Sequence, residues 1–316
     1  MGDMQMMPAA ADVADAATVQ AAVASCAHCM ERSEIPATPN ALQSNQVKRS
    51  VDAAASHTPP PLPALGPTAF MHRWSASENP SAPLAHHLQD STHISSGVFT
   101  TGFTYRWLKL EGPLFNGREP DENRYNFEFN PWNSRSVRLS VAPNENWSMQ
   151  VSYGLLKNPE ALEPGDTRRM TASVSYNKRF TRGNWAMSLI WGRNREGYAD
   201  APFHLNSYTA ESTLNFLERN YVYTRLELVD KKDLLRDEDR ASLGILEPHP
   251  QFRIGAYTFG YARDVWASEK LLMAVGSDVT FYSKPAALDP IYGSHPTSYR
   301  LFIRLRPNRM GGHGGH

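Results

Sequence analysis

His72, His86, His87 and His93 fall in one short stretch, with Asp90 among them. Imidazole nitrogens with a nearby carboxylate are the donor set of a transition-metal site. Their spacing is not that of two histidines on one helical face, and no cysteine is near, so the four are weak candidates and the metal is unknown. The only cysteines stand in Cys26-Ala27-His28-Cys29. No second CxxC completes a structural zinc site and no βαβ pattern surrounds the pair, which points to an incidental pair. Met4, Met6 and Met7 are soft donors in a stretch without periodicity. For nucleophilic chemistry, His93 and Ser95 are neighbours, but nothing fixes a third orienting group, and there is no GxSxG. The acids Asp121 and Glu122, and Asp237, Glu238 and Asp239, fall in charged links and read as solvated faces. No GxGxxG, GxxxxGKS/T or HExxH occurs. The sequence therefore offers no catalytic residues, requires no cofactor and points away from an enzyme.

A second set of chemistry-bearing residues lies inside strand-like runs: Arg138, Glu211, Arg225, Glu227, Arg253, Asp278, Arg300 and Arg304. Each would be costly alone in a dry core, whereas in a polar interior they can pair with one another and meet water. They are read as a lumen-lining polar network. Lys+Arg and Asp+Glu number 32 each among 316 residues. With no net field and no basic patch interleaved with aromatics, nucleic-acid binding is excluded.

The elements that carry these residues centre on 168–194. Met170, Ala172, Val174 and Tyr176 alternate with polar or small residues, and after a turn at 181–184 Trp185, Met187, Leu189 and Trp191 alternate again. That is a β-hairpin with one apolar and one largely polar face. Similar runs recur at 97–106, 108–115, 134–142, 147–156, 206–217, 221–229, 252–264, 271–283 and 298–306, with 123–129 and 241–246 as weaker additions. Short links such as Pro143-Asn144-Glu145-Asn146 alternate with long charged ones, and Trp107, Trp147, Trp185, Trp191, Tyr221 and Trp266 lie at strand ends. Mean hydropathy is −0.49, and no apolar run is long enough for a membrane helix. Two architectures fit: a soluble sandwich with the apolar face inside, or an all-β, antiparallel up-and-down transmembrane-type β-barrel of about 10–12 strands with the apolar face on lipid. Ten or so segments that all keep one apolar face favour the barrel. A single-chain barrel needs an even count, so the wall is incomplete unless the weaker runs contribute.

The barrel domain is placed at 66–307. Before it, 1–65 is an Ala-, Pro- and Ser-rich arm read as disordered, and 308–316 is a flexible Gly/His tail. Ala9–Ala24 carries Asp12 and Asp15 and follows no basic region, so it is a poor signal peptide.

The stretches Gly66-Pro67-Thr68-Ala69-Phe70-Met71-His72-Arg73, 86–93, 115–122, 147–154, 160–165 and Phe252–Gly260 resemble a family of uncharacterised bacterial outer-membrane β-barrels, some encoded near heavy-metal resistance genes. The front of the chain departs from that family, where a signal peptide and further strands would stand. The final strand departs too, ending in Arg304-Leu305-Arg306-Pro307. The resemblance implies a place in the cell outer membrane, with outer-membrane lipid and the barrel-assembly machinery as partners and no catalytic residue to carry over. The expected function is a small passive channel for an unknown solute. The alternatives are a plugged structural or binding barrel and a barrel hydrolase.

Overall fold

The computed structural model describes residues 64–90, 96–119, 131–160, 165–197, 202–247 and 250–307. The expectations for the 1–65 arm up to residue 63, including both cysteines, and for His93, Ser95, the 123–129 run and the tail lie outside the described residues.

Eleven strands follow one another: β1 (Ser96–Tyr105), β2 (Leu108–Asn116), β3 (Ser134–Val141), β4 (Trp147–Leu156), β5 (Thr167–Phe180), β6 (Gly183–Glu196), β7 (Phe203–Phe216), β8 (Asn220–Lys231), β9 (Phe252–Ala267), β10 (Leu271–Ser283) and β11 (Thr297–Pro307). Each pairs antiparallel with the next, giving a single meander in sequence order. The period-two alternation puts every second side chain on the same face, and tight turns fix the register. Phe180 pairs with Gly183 across the two-residue Thr181-Arg182 loop. A β-carbon at Gly183 would lie 2.0 Å from the Asn215 carbonyl oxygen, so the β5–β6 turn passes too close to β7 for any side chain. In the β7–β8 loop Leu217 and Glu218 take φ of 51° and 65°, the left-handed geometry that reverses the chain in so few residues. The weak strand expectation at 241–246 is replaced by α2 (Asp237–Ser242) and the turn after it, because three acids in its first turn favour a helix start. The other short helices are α1 (His86–Gln89) and α3 (Asp289–Tyr292).

The expected closed barrel is not formed. Among the described residues the strand order runs from β1 to β11, and β1 and β11 are not paired with each other. The described strands are odd in number, so β1 and β11 run in the same direction and cannot complete an antiparallel wall with each other. The resemblance to outer-membrane barrels is overturned with it. So are the outer-membrane location, lipid and the barrel-assembly machinery as partners, and the channel, plugged-barrel and barrel-hydrolase functions, all of which need a closed wall. No described helix is long and apolar enough to cross a membrane.

The core sits on the polar face. Residues 64–90 cross it as a strap of turns, with short 3₁₀ segments at Phe70–His72 and Trp74–Ala76 leading to α1. Its apolar anchors are small. Ala85 and Leu88 pack with Leu205 and Val229, and Leu65 packs with Leu156. Leu88 approaches so closely that a β-carbon on Gly192 would sit 2.2 Å from its carbonyl oxygen.

Candidate functional site

The two faces of the sheet reverse the usual arrangement. On the face under the strap, Arg138, Arg169, Glu211, Arg225, Glu227, Asp264 and Asp278 are all buried. On the other face Val151, Leu189, Tyr208, Leu226, Phe259 and Val275 are exposed, rising to 80% for Tyr299 and 84% for Leu301.

The centre of the buried face is Glu211 on β7. Cross-strand register sets it beside Ser188 on β6 and Arg225 on β8. The strap adds Arg73, whose Nε donates to Glu211 Oε1 at 2.6 Å, and Ser75, whose Oγ donates to the same oxygen at 2.8 Å. Arg225 Nε donates to Oε2 at 3.3 Å, and its Nη1 donates to the Ser81 carbonyl at 2.6 Å. Burial pushes the Glu211 carboxyl up, but the guanidiniums of Arg73 and Arg225 and the bonds from Arg73 and Ser75 more than reverse this. It is held at about 2. Glu227, next along β8, accepts the Ala85 N–H at 3.2 Å as the strap enters α1. Here burial dominates the pull of Arg225 and the backbone donors, and the carboxyl is pushed up to about 6.

Three further clusters flank this centre. At one side Lys109 and Arg138 pair with Glu111 at 2.6 and 2.8 Å, and Arg138 Nη1 donates to the Gly66 carbonyl. At the other, Asp264 receives Tyr221 Oη at 3.0 Å, Arg304 at 2.9 Å and Arg306 at 2.7 Å, while Glu78 of the strap pairs with both arginines. Between them Tyr223 on β8 reaches across Gly260 to donate to Asp278 Oδ2 at 2.9 Å, and Arg300 lies 3.8 Å from Asp278. Gly260 permits that reach, because a β-carbon there would stand 2.1 Å from the Tyr223 ring.

Of the eight residues expected to form one network, seven share the buried face: Arg138, Glu211, Arg225, Glu227, Asp278, Arg300 and Arg304. They form several clusters and line no lumen. Arg253 lies apart, paired with Asp230 at 2.8 Å and largely exposed, in phase with the apolar-face residues Leu228 and Tyr257. Sequence reasoning missed Arg73, Glu78, Lys109, Glu111, Asp264 and Arg306. Glu111 carried a usable signal, being in register with Arg138.

Of the four histidines expected as a set, His93 lies outside the described residues. His86 and His87 lie ring against ring, with centroids 4.1 Å apart, and the His86 ring contacts the Pro83 carbonyl; His72 is exposed. Among the described residues no three His, Cys, Asp or Glu side chains are grouped to hold a metal ion.

The apolar face has a broad groove of about 830 Å³ at its middle, where Ala172 and Ala210 form a low floor between Leu189, Trp191, Tyr208 and Leu226. Above it Trp147, Tyr176 and Trp185 form a ladder across β4, β5 and β6, with ring centroids 4.7 and 5.7 Å apart. The buried charge clusters described above lie on the strap's face of the sheet, and the groove on the other face is lined mainly by hydrocarbon and aromatic side chains. Comparison with known proteins adds no relative, for no family model and no curated protein matches the chain.

Proposed function

We propose that this chain is a non-catalytic assembly protein, built to associate with further copies of itself through its sheet. The observation that carries the reading is the exposed apolar face, which runs from the middle strands to β11 at the end of the strand order. Contiguous exposed apolar surface of this extent marks an interface, since water contact costs roughly 25 cal/mol per Å². The buried face offers no competing recognition surface. Its charges are engaged by the strap and by one another, and an enzyme or a polar-ligand binder would have to displace residues 64–90 to use them. A second copy meets the chemistry of the open face, because it brings the same hydrocarbon surface.

The test is the mass of the purified full chain by sedimentation velocity over a hundredfold range of concentration. Concentration-dependent association in plain buffer, reversed by mild non-ionic detergent, is the expected result. A chain that stays single and dispersed over the whole range, without detergent, overturns the reading.

A further inference from the structure

We infer that a second copy stacks face to face on β4–β8, end for end, about a two-fold axis that lies across the strands and passes over Ile190 of β6; this rests on the reading of the chain as a self-associating sheet.

The middle strands have the area for it. The large apolar side chains that β4–β8 leave open are 36–52% exposed. The open half of such a side chain is about 100 Å², so these strands offer on the order of 1,000 Å², where each partner in a standard interface contributes about 800 Å². The outer strands are not needed to reach it.

The relief of this face is self-complementary. Tyr208 and Ala210 are successive apolar-face residues of β7, as Ala172 and Val174 are of β5 and Leu189 and Trp191 of β6. Ile190 is in register with Ser173 on β5 and Thr209 on β7. An axis across that row lays each strand over its own copy in the opposite direction. Tyr208 then enters the hollow above the partner's Ala210, Val174 that above the partner's Ala172, and Leu189 meets the partner's Trp191. Stacked sheets stand about 10 Å apart with their side chains interdigitated, and a small residue beneath a large one fits that spacing. An axis along β6 would instead bring Trp191 against the partner's Trp191, overfilling the centre.

Charge selects the same direction. Arg168 on β5 and Arg193 and Arg195 on β6 lie at one end of the apolar face, Arg195 opposite Arg168 and Arg193 opposite Met170. The ladder of Trp147, Tyr176 and Trp185 lies at the other end. With like ends together, Arg193 and Arg195 would face their own copies, and like charges so placed repel. End for end, the arginines come over the partner's aromatic ladder, with Arg195 nearest the partner's Trp185, and a guanidinium is attracted to the face of an indole. Arg168 and the partner's Lys178 come together only at the margin of the stack, where both are exposed and screened by solvent. A face with an arginine end and an aromatic end complements a reversed copy of itself.

Sedimentation velocity of the full chain tests this, with circular dichroism checking that each variant keeps its β signal. The wild type should stop at two copies, because a two-fold face closes on itself. Leu189→Arg, at the centre, should leave single copies. Ala210→Phe adds apolar surface but fills the hollow, and should weaken the dimer about tenfold or more. Arg195→Glu should also weaken it about tenfold, since two symmetry-related contacts with an aromatic ring are lost. With like ends together the same change would remove a repulsion and tighten the dimer. Ala210→Phe and Arg195→Glu carry the test if Leu189→Arg loses its β signal. A dimer tightened by Arg195→Glu overturns the end-for-end stacking, and one tightened by Ala210→Phe overturns the seating of Tyr208. A dimer unchanged in all three variants overturns the use of this face and leaves self-association standing by another route. Assembly beyond two copies overturns the two-fold arrangement. A wild-type chain that never associates overturns the inference together with the reading beneath it.

Discussion

Replacing Glu211 by glutamine should cost the fold about 3 kcal/mol at neutral pH. The side chain is 1% exposed and pairs with Arg73 and Arg225, both equally buried. Glutamine keeps the shape but leaves two guanidiniums facing each other without a carboxylate, and breaking a buried pair from one side typically costs about 3–5 kcal/mol. The pKa gives an independent figure. A fall from 4.5 to about 2, at about 1.4 kcal/mol per pH unit, corresponds to about 3 kcal/mol of stability held by the charged form. The sign follows from a depressed carboxylate: this stability is present above pH 4.5 and is lost as pH falls toward 2. The difference between wild type and Glu211→Gln should therefore be largest at pH 7 and shrink steadily below pH 4.5. Urea unfolding followed by tryptophan fluorescence, at several values from pH 7 to pH 2.5, measures it. The strap should respond with the sheet, because Arg73 and Ser75 are its central anchors. Proteolysis between 64 and 90 is expected to speed up in the variant. A difference below about 1 kcal/mol at pH 7, or one that does not change with pH, would refute the argument that Glu211 holds the strap electrostatically.

Glu227→Gln should act in the opposite direction. The raised carboxyl contributes stability that is full below pH 4.5 and lost as pH rises through about 6, so the variant should gain about 2 kcal/mol over wild type at pH 7 in the same unfolding assay. Tyr223→Phe removes the donor to buried Asp278 and should cost about 1–3 kcal/mol, read as a lower urea midpoint. Gly192→Ala places a methyl against the Leu88 carbonyl and should loosen α1, speeding cleavage of the strap while the circular-dichroism β signal is retained.

Local alternation made the strands legible. The run at 271–283 matches β10 residue for residue, and 147–156 matches β4, because a two-residue period is a property of each segment alone. Closure is not a local property. An open and a closed sheet share the same alternation, and the outcome turns on strand number and direction. The strap was illegible for a related reason: residues 64–90 have no period, and their partners are remote, with Arg73 and Glu211 separated by 138 positions. Arg253 is different, since its phase with Tyr257 and Phe259 was readable. It was grouped with the other charges by residue type when its position along β9 already put it on the opposite face.

The reversed faces have a consequence for how this sheet is stabilised. A conventional core gains from every methylene it hides, whereas the strap of this chain hides few: four residues in one apolar cluster and two in another. What holds residues 64–90 down is a set of charge-assisted bonds from Arg73, Ser75, Glu78 and Arg225, with backbone carbonyls and N–H groups at Thr68, Ser81 and Ala85 completing them. Such bonds are directional and fail together when one member is removed, because each leaves a buried partner unsatisfied. The hydrocarbon that would ordinarily supply the remaining stability lies on the outer face, where it stabilises the chain only when another surface covers it. On the proposed self-association, folding and association are coupled: the buried face fixes which side the strap occupies, and the exposed face gains its share of stability when a second copy covers it.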